Sequence, residues 1–415
     1  MRVSALRRLV LPCLLLSLLA ATGVGCDFPE PGEPGYFVVN STTDSVDALP
    51  GNSVCATASG ACTLRAAIQE SNAMVGDNTV ELPAGTYLLT LPGSGGAAQG
   101  DLNINGSVQI LGGGASTTRI DGNGARLNTR IFQVQSGSLR VQDATLQNGG
   151  SVSVSAGGGI RVDAGSVFLT RVVMTGNEAF SNGGAIALFA GLLSLTDTTI
   201  DSNIVTSRGG GLYAGADTNI GITRSTFSNN QSTLGGAIQN FGSLTMENST
   251  VSGNSGSAGT GGIINVGSMD LNNVTITDNT SDEETEGRAG GISSNGGVLN
   301  LRNTLIAGNH NTAGGSPDCA GTLTSQGHNL IQDTTGCTVA GTTTGNKLGV
   351  NPLLGPLANN GGPTRTHAIG ATSPAREAGN PAVPGSSSTA CRATDQRGVS
   401  RPQGARCDIG AFERQ

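Results

Sequence analysis

Six asparagines mark a recurring unit along the middle of this chain. Asn177, Asn203, Asn230, Asn254, Asn279 and Asn309 follow one another at intervals of 26, 27, 24, 25 and 30 residues. Glycine pairs with an apolar residue beside them punctuate the same stretch, as at Gly183-Gly184-Ala185-Ile186 and Gly235-Gly236-Ala237-Ile238. A fixed period in this range implies a solenoid, a propeller or an array. Within each unit apolar residues alternate, as at Leu193 and Leu195 or Leu299 and Leu301, which is the period of a pleated strand. β-Branched residues fill the units, and Gly and Asn supply the turns. Propeller blades need roughly 40–50 residues, and leucine-rich repeats need a convex side that nothing here supplies. Three short strands and tight turns fit about 25 residues, so the reading is an all-β, single-stranded parallel β-helix.

Aligning the units predicts a core ladder of Leu146, Met174, Ile200, Phe227, Val251, Ile276 and Ile306, every member apolar. Three residues before each stands a second column: Asp143, Arg171, Asp197, Arg224, Asn248, Asn273 and Asn303. Its charges alternate in sign before asparagine takes over. Opposite charges on neighbouring strands stabilise and like charges repel, and asparagine tolerates left-handed turns. The expectation is a structural ladder, salt bridges passing into asparagines bonded to their copies, rather than a row of catalytic carboxylates.

Residues 1–25 read as an export signal, with Arg2, Arg7 and Arg8 ahead of an apolar run too short to span a membrane. Small residues before Cys26 resemble a bacterial lipoprotein cleavage box, which implies lipidation of Cys26 and a membrane partner at the cell envelope. Residues 26–35 read as a tether. Export favours oxidised cysteines, and the remaining six fall into three local pairs: Cys55 with Cys62, Cys319 with Cys337, Cys391 with Cys407. The formal charge is −7, and without the signal's three arginines it is −10, which argues against nucleic acid as a partner. Aromatics make up 3% of residues and Trp is absent, which weighs against a dedicated sugar-stacking site.

Residues 36–78 read as an N-terminal cap, with a short helix starting after Thr63 to close the open end of the solenoid. Cys62-Thr63-Leu64-Arg65-Ala66-Ala67 resembles the CSLREA domain of exported bacterial β-helix proteins, departing from it at Thr63 and Ala66. Residues 79–315 form the solenoid proper. Its Gly-Gly-Ala-Ile and Phe227-x-x-Asn230 elements resemble repeats of chlamydial polymorphic outer membrane proteins, which implies a surface adhesin. The wider architecture resembles the pectin-lyase-like fold, which implies a right-handed helix. From 316 to 415 the period lapses. Asp395-Gln396-Arg397-Gly398, Arg401-Pro402 and Cys407-Asp408-Ile409-Gly410-Ala411-Phe412-Glu413 resemble the choice-of-anchor Q domain, which implies retention at the cell surface.

No Asp pair, aligned acidic cluster or Ser–His–Asp order is present, and turn or packing roles are expected for His310, His328 and His367. No cofactor or metal is expected. The acidic run at 282–286 offers oxygen ligands suited to calcium, without the ordered spacing of a calcium loop. The expectation is a surface-anchored, non-enzymatic lipoprotein that adheres to or binds a protein or polysaccharide. A polysaccharide lyase or glycoside hydrolase acting on an extracellular glycan is the alternative, and a structural envelope protein the third.

Overall fold

In the computed structural model, which describes residues 34–282 and 287–415, the chain winds into a parallel β-helix. Each full winding gives strands to three sheets, of eighteen, eleven and six strands, referred to below as wide, second and third. The wide sheet takes two strands per winding, and around residues 186–196 and 212–223 the two merge into single long strands. At ~4.8 Å between neighbours, eleven stacked strands make a body roughly 50 Å long.

Stacking is in register. Leu146 pairs with Met174, and so on through Ile200, Phe227, Val251, Ile276 and Ile306, all of them fully buried in the second sheet. The inner column of the wide sheet runs Val141, Leu169, Leu195, Ile222, Met246, Leu271, Leu301 and is equally enclosed. Alternation explains this: each strand turns every second side chain inward, and a fixed winding length brings equivalents together.

The first winding is closed by the helix Leu64–Ala73. Thr63 caps it, its hydroxyl accepting from Ala66 N at 3.1 Å. Leu64, Ala67 and Ile68 face the core. Arg65 is wholly buried; its guanidinium grips the Asp44 carboxylate and donates to the carbonyls of Ala97 and Gly100. Asp44 in turn accepts from the main chain at Thr90 and Leu91. The sequence motif around Arg65 therefore serves to pin the cap.

Winding does not stop at residue 315, where the sequence period lapses. Ile292 pairs with Cys319, Ile306 with Ile331, Leu323 with Val339, and Ile331 with Leu348. The boundary expected at 316 thus falls inside the stack. The physical reason is that the third sheet ends at His310–Asn311. Losing that strand shortens the winding, so the spacing changes while the two inner columns persist.

The tail after Leu348 turns back along the outer face of the second sheet. It contains one antiparallel hairpin, Leu354–Ala358 with Thr366–Ile369. Thr226 Oγ1 donates to Arg365 O at 2.7 Å, Thr250 Oγ1 to Gln396 Oε1 at 2.7 Å, and Ala411 N to Thr275 Oγ1 at 3.0 Å. Strands Thr226–Ser228, Thr250–Ser252 and Thr275–Thr277 are therefore buried on both faces. Strands Val173–Thr175 and Thr199–Asp201 keep half-exposed outer residues, the tail reaching the second of them through Arg365, whose guanidinium lies 3.1 Å from Asp201.

Candidate functional site

All seven members of the predicted turn column have positive φ, between 45° and 56°. Left-handed geometry suits asparagine and costs other residues more, so the arginines and aspartates held there are fixed by their partners. Arg171 makes a two-pronged contact with Asp143, both arms 2.7 Å, and Arg224 clasps Asp197 at 2.7 and 2.8 Å. Hydrogen bonding from Arg171 holds the Asp143 carboxyl below its usual range, and the bonds to Asp197 push Arg224 upward.

The expected continuation, asparagines bonded to their copies, is not what the side chains do. Asn273 directs its amide at Asp408 O and Gly410 O, and its Oδ1 accepts from Arg392 N at 2.9 Å. Asn303 donates to Thr389 O and accepts from Asn380 N. Asn248 lies beside them with its Oδ1 buried and unbonded. These windings lie under the tail, and its main chain offers partners within reach.

A genuine asparagine ladder runs through the period-marking residues instead. The main-chain N–H and the side-chain amide of Asn177 both donate to Asn203 Oδ1, at 3.0 and 2.9 Å. The pattern repeats from Asn203 to Asn230, Asn254, Asn279 and Asn309, and Asn309 ends on Asp318 Oδ1. Six aligned amides polarise one another, and each amide saturates a turn that would otherwise bury bare donors. Burial raises the Asp318 carboxyl even though the Asn309 bonds pull it down.

The cysteines close three short loops, Cys55–Cys62, Cys319–Cys337 and Cys391–Cys407. Cys26 lies outside the described residues, as do 283–286 of the acidic run. Asp282 accepts from the Thr312 hydroxyl.

Among the described residues, each acid or histidine with a displaced pKa has a holding role. Glu70 accepts from Gly51 N and Ser53 N, and burial raises it. Arg401 is enclosed in the tail, where Glu413, Asp408 O and Gly410 O surround its guanidinium. Burial lowers Arg401 and raises Glu413, so loss of hydration outweighs their mutual attraction at both ends of the pair. Arg397 stacks 3.7 Å from the centre of the Phe412 ring. The C-terminal motif is thereby accounted for as a latch. His367 Nε2 meets Ser252 Oγ at 2.8 Å and its Nδ1 meets Gly355 O at 2.7 Å. That resembles a nucleophile and base, but both side chains are enclosed between tail and sheet, where no substrate reaches. His328 bonds Ala378 O, another tail contact.

An open surface of different character lies on the outer face of the wide sheet. Phe189, Tyr213 and Phe241 stand on three successive windings, half-exposed, with ring centres 5.8 Å apart at each step. Arg161 covers Phe189 at 4.9 Å, and one winding earlier Arg140 covers Phe168 at 4.2 Å. Arg161 is steadied by Asp163 at 2.7 Å, and Gln133 donates to the same carboxylate. Gln133 also accepts from Arg130, whose Nη1 lies 2.7 Å from Asp101. Asp101 and Arg130 line a cleft of about 260 Å³ with Asn128, Thr129, Ser153 and Ser155. Amides, hydroxyls and ion pairs lead from this cleft to the aromatic strip without a break.

Sequence reasoning passed over this face because a whole-chain aromatic content says nothing about placement. The signal was there: Phe189 and Phe241 each stand five residues after the second glycine of a Gly-Gly pair. A strip of rings can stack on the apolar faces of sugar rings, and fixed guanidinium, amide and carboxylate groups can bond hydroxyls.

Comparison with known proteins adds little to this geometry. No family model matches the chain, and no curated protein does. Among solved structures it is similar to the crystal structure of pectate lyase Pel9A, at 13% identity over 92% of this chain and 97% of that one, with a TM-score of 0.43. That likeness is to a parallel β-helix and carries no argument about activity.

Proposed function

We propose that this protein is an exported, surface-held β-helix that binds an extended glycan across the outer face of the wide sheet, without catalysing a reaction on it. The observation that carries the reading is the strip of Phe189, Tyr213 and Phe241 with Arg161 stacked on its first ring. It runs along the stacking axis, which suits a chain-like ligand better than a compact one. Acids and histidines with displaced pKa values are consumed in the cap, the ladder and the latch, which supports binding over acid–base chemistry. Three disulfides suit an oxidising, extracellular setting. Attachment through a lipid on Cys26 belongs to the same proposal, as does kinship with the CSLREA and choice-of-anchor Q domains and with the outer-membrane adhesin repeats.

The test is retention of the purified chain on immobilised neutral and acidic polysaccharides. Wild type is retained on at least one. Phe189→Ala, Tyr213→Ala and Phe241→Ala each weaken binding roughly tenfold, about 1.4 kcal/mol per ring, with unchanged melting temperatures. Release of unsaturated or reducing ends during incubation, with or without calcium, would replace this reading by the lyase or hydrolase alternative. For the anchor, labelled palmitate enters wild type and is absent from Cys26→Ser.

A further inference from the structure

The two ends of the solenoid are finished differently. At the first winding the helix Leu64–Ala73 covers the inner columns with Leu64, Ala67 and Ile68. At the last winding nothing described covers them. The column that buries Ile306 and Ile331 completely ends in Leu348, which is 45% exposed. The neighbouring column passes from buried Leu323 to half-exposed Val339. Among the described residues the edge strand Cys337–Thr342 pairs only with Cys319–Gln326, so alternate N–H and C=O groups face outward. That strand contains no charge and no proline, the usual protections of an edge. The tail, which could have folded across this end, lies along the second sheet instead.

We infer that this end is the interface with a second copy of the same chain, the two solenoids meeting end to end about a twofold axis. The edge strands then pair antiparallel about Val339, and Leu348 of each copy enters the shared interior. Several observations select a second copy. A strand edge presents donors and acceptors that match themselves under a twofold, and the uncharged strand brings no repulsion. The last winding repeats after 16 to 17 residues, as Gly321 pairs with Cys337 and Leu330 with Lys347, which makes a seam somewhat smaller than the ~20–30 residues a side of a standard interface and suits a reversible dimer. Head-to-tail stacking is barred because the helix occupies the opposite end of every copy, so association closes at two. The glycan-binding strip points sideways from the axis and ends several windings before the seam, so pairing leaves it open and gives each dimer two separate strips.

Sedimentation velocity on the full secreted chain carrying Cys26→Ser, across a dilution series, decides the matter. A monomer–dimer equilibrium is expected. Val339→Lys and Leu348→Lys, each placing an ammonium in the shared interior, raise the dissociation constant at least tenfold. Leu348 is exposed enough in the monomer for its variant to keep the wild-type melting curve in dilute solution, which separates lost pairing from lost folding. A chain that sediments as a monomer at every concentration overturns the inference, and so does a dimer insensitive to both substitutions. Glycan retention is scored separately, so failure of one reading leaves the other standing.

Discussion

At the scale of single residues, exposure decides what an interaction contributes. The Asp143–Arg171 pair has ideal geometry, but its side chains are 27% and 44% exposed. Water and salt screen it, leaving under about 1 kcal/mol. Arg171→Asp would set three acids in adjoining turns and should lower the melting temperature by only a few degrees. Asn254→Ala removes a fully buried amide and leaves two donors of Asn230 without an acceptor, at a cost of roughly 1–3 kcal/mol. Urea midpoints of the two variants should therefore rank Asn254→Ala as the more damaging. His367 gives a pH signature. Burial lowers its pKa, against smaller upward pulls from Gly355 O and Asp278. The unfolded imidazole takes a proton near its ordinary 6.5 while the folded one stays neutral. The unfolded state thus binds more protons below that value, and stability falls as pH drops through it. The buried acids Glu70, Asp318, Asp408 and Glu413 are raised and act with the opposite sign. Subtracting the His367→Gln stability curve from that of wild type between pH 7 and 5 isolates the histidine; a flat difference would remove its role.

At the scale of elements, the tail behaves as a strap. It is held to the second sheet by hydrogen bonds at Thr226, Thr250 and Thr275 and by an apolar cluster that sets Leu305, Ala307 and Leu330 against Ile369, Ala375, Ile409 and Phe412, and its own fold is closed by Cys391–Cys407 and the Arg401–Glu413 pair. A loop of about 16 residues gains ~3 kcal/mol from cross-linking. In Cys391→Ser/Cys407→Ser the strap should loosen before the solenoid does. Limited proteolysis is expected to cut between residues 350 and 415 and leave a resistant fragment ending near Leu348. Simultaneous loss of both parts would show that they unfold as one unit. The elements were unequally legible. Strand alternation and the Thr63 cap were plain in sequence because both arise from contacts a few residues apart. Where the windings end was not, because the sequence period tracks the third sheet, and that sheet stops two windings early.

At the scale of the whole molecule, each winding touches only its neighbours, so the ends carry the burden of stopping growth. One end is closed by a helix, and pairing of copies closes the other. Deleting residues 34–76 strips the helix and opens both ends. Such a chain should assemble into long filaments visible by light scattering and electron microscopy, while the parent stops at the dimer. A truncated chain that unfolds or stays monomeric would show that the helix acts as a folding element and not as a stopper.

The sequence by itself determined the winding. Its period, its alternating apolar positions and its turn residues specify a stack of parallel strands with Met174, Ile200 and Phe227 in one interior column, since all of these follow from local geometry repeated at a constant length. Only the tertiary structure decided where the asparagines of the turn column point, which face the last residues strap, and that Arg161, Phe189, Tyr213 and Phe241 form one surface. Those outcomes depend on groups about a winding or more apart along the chain. Their meeting is set by how windings of unequal length and a returning tail come to rest against one another, and no short stretch of sequence contains that information.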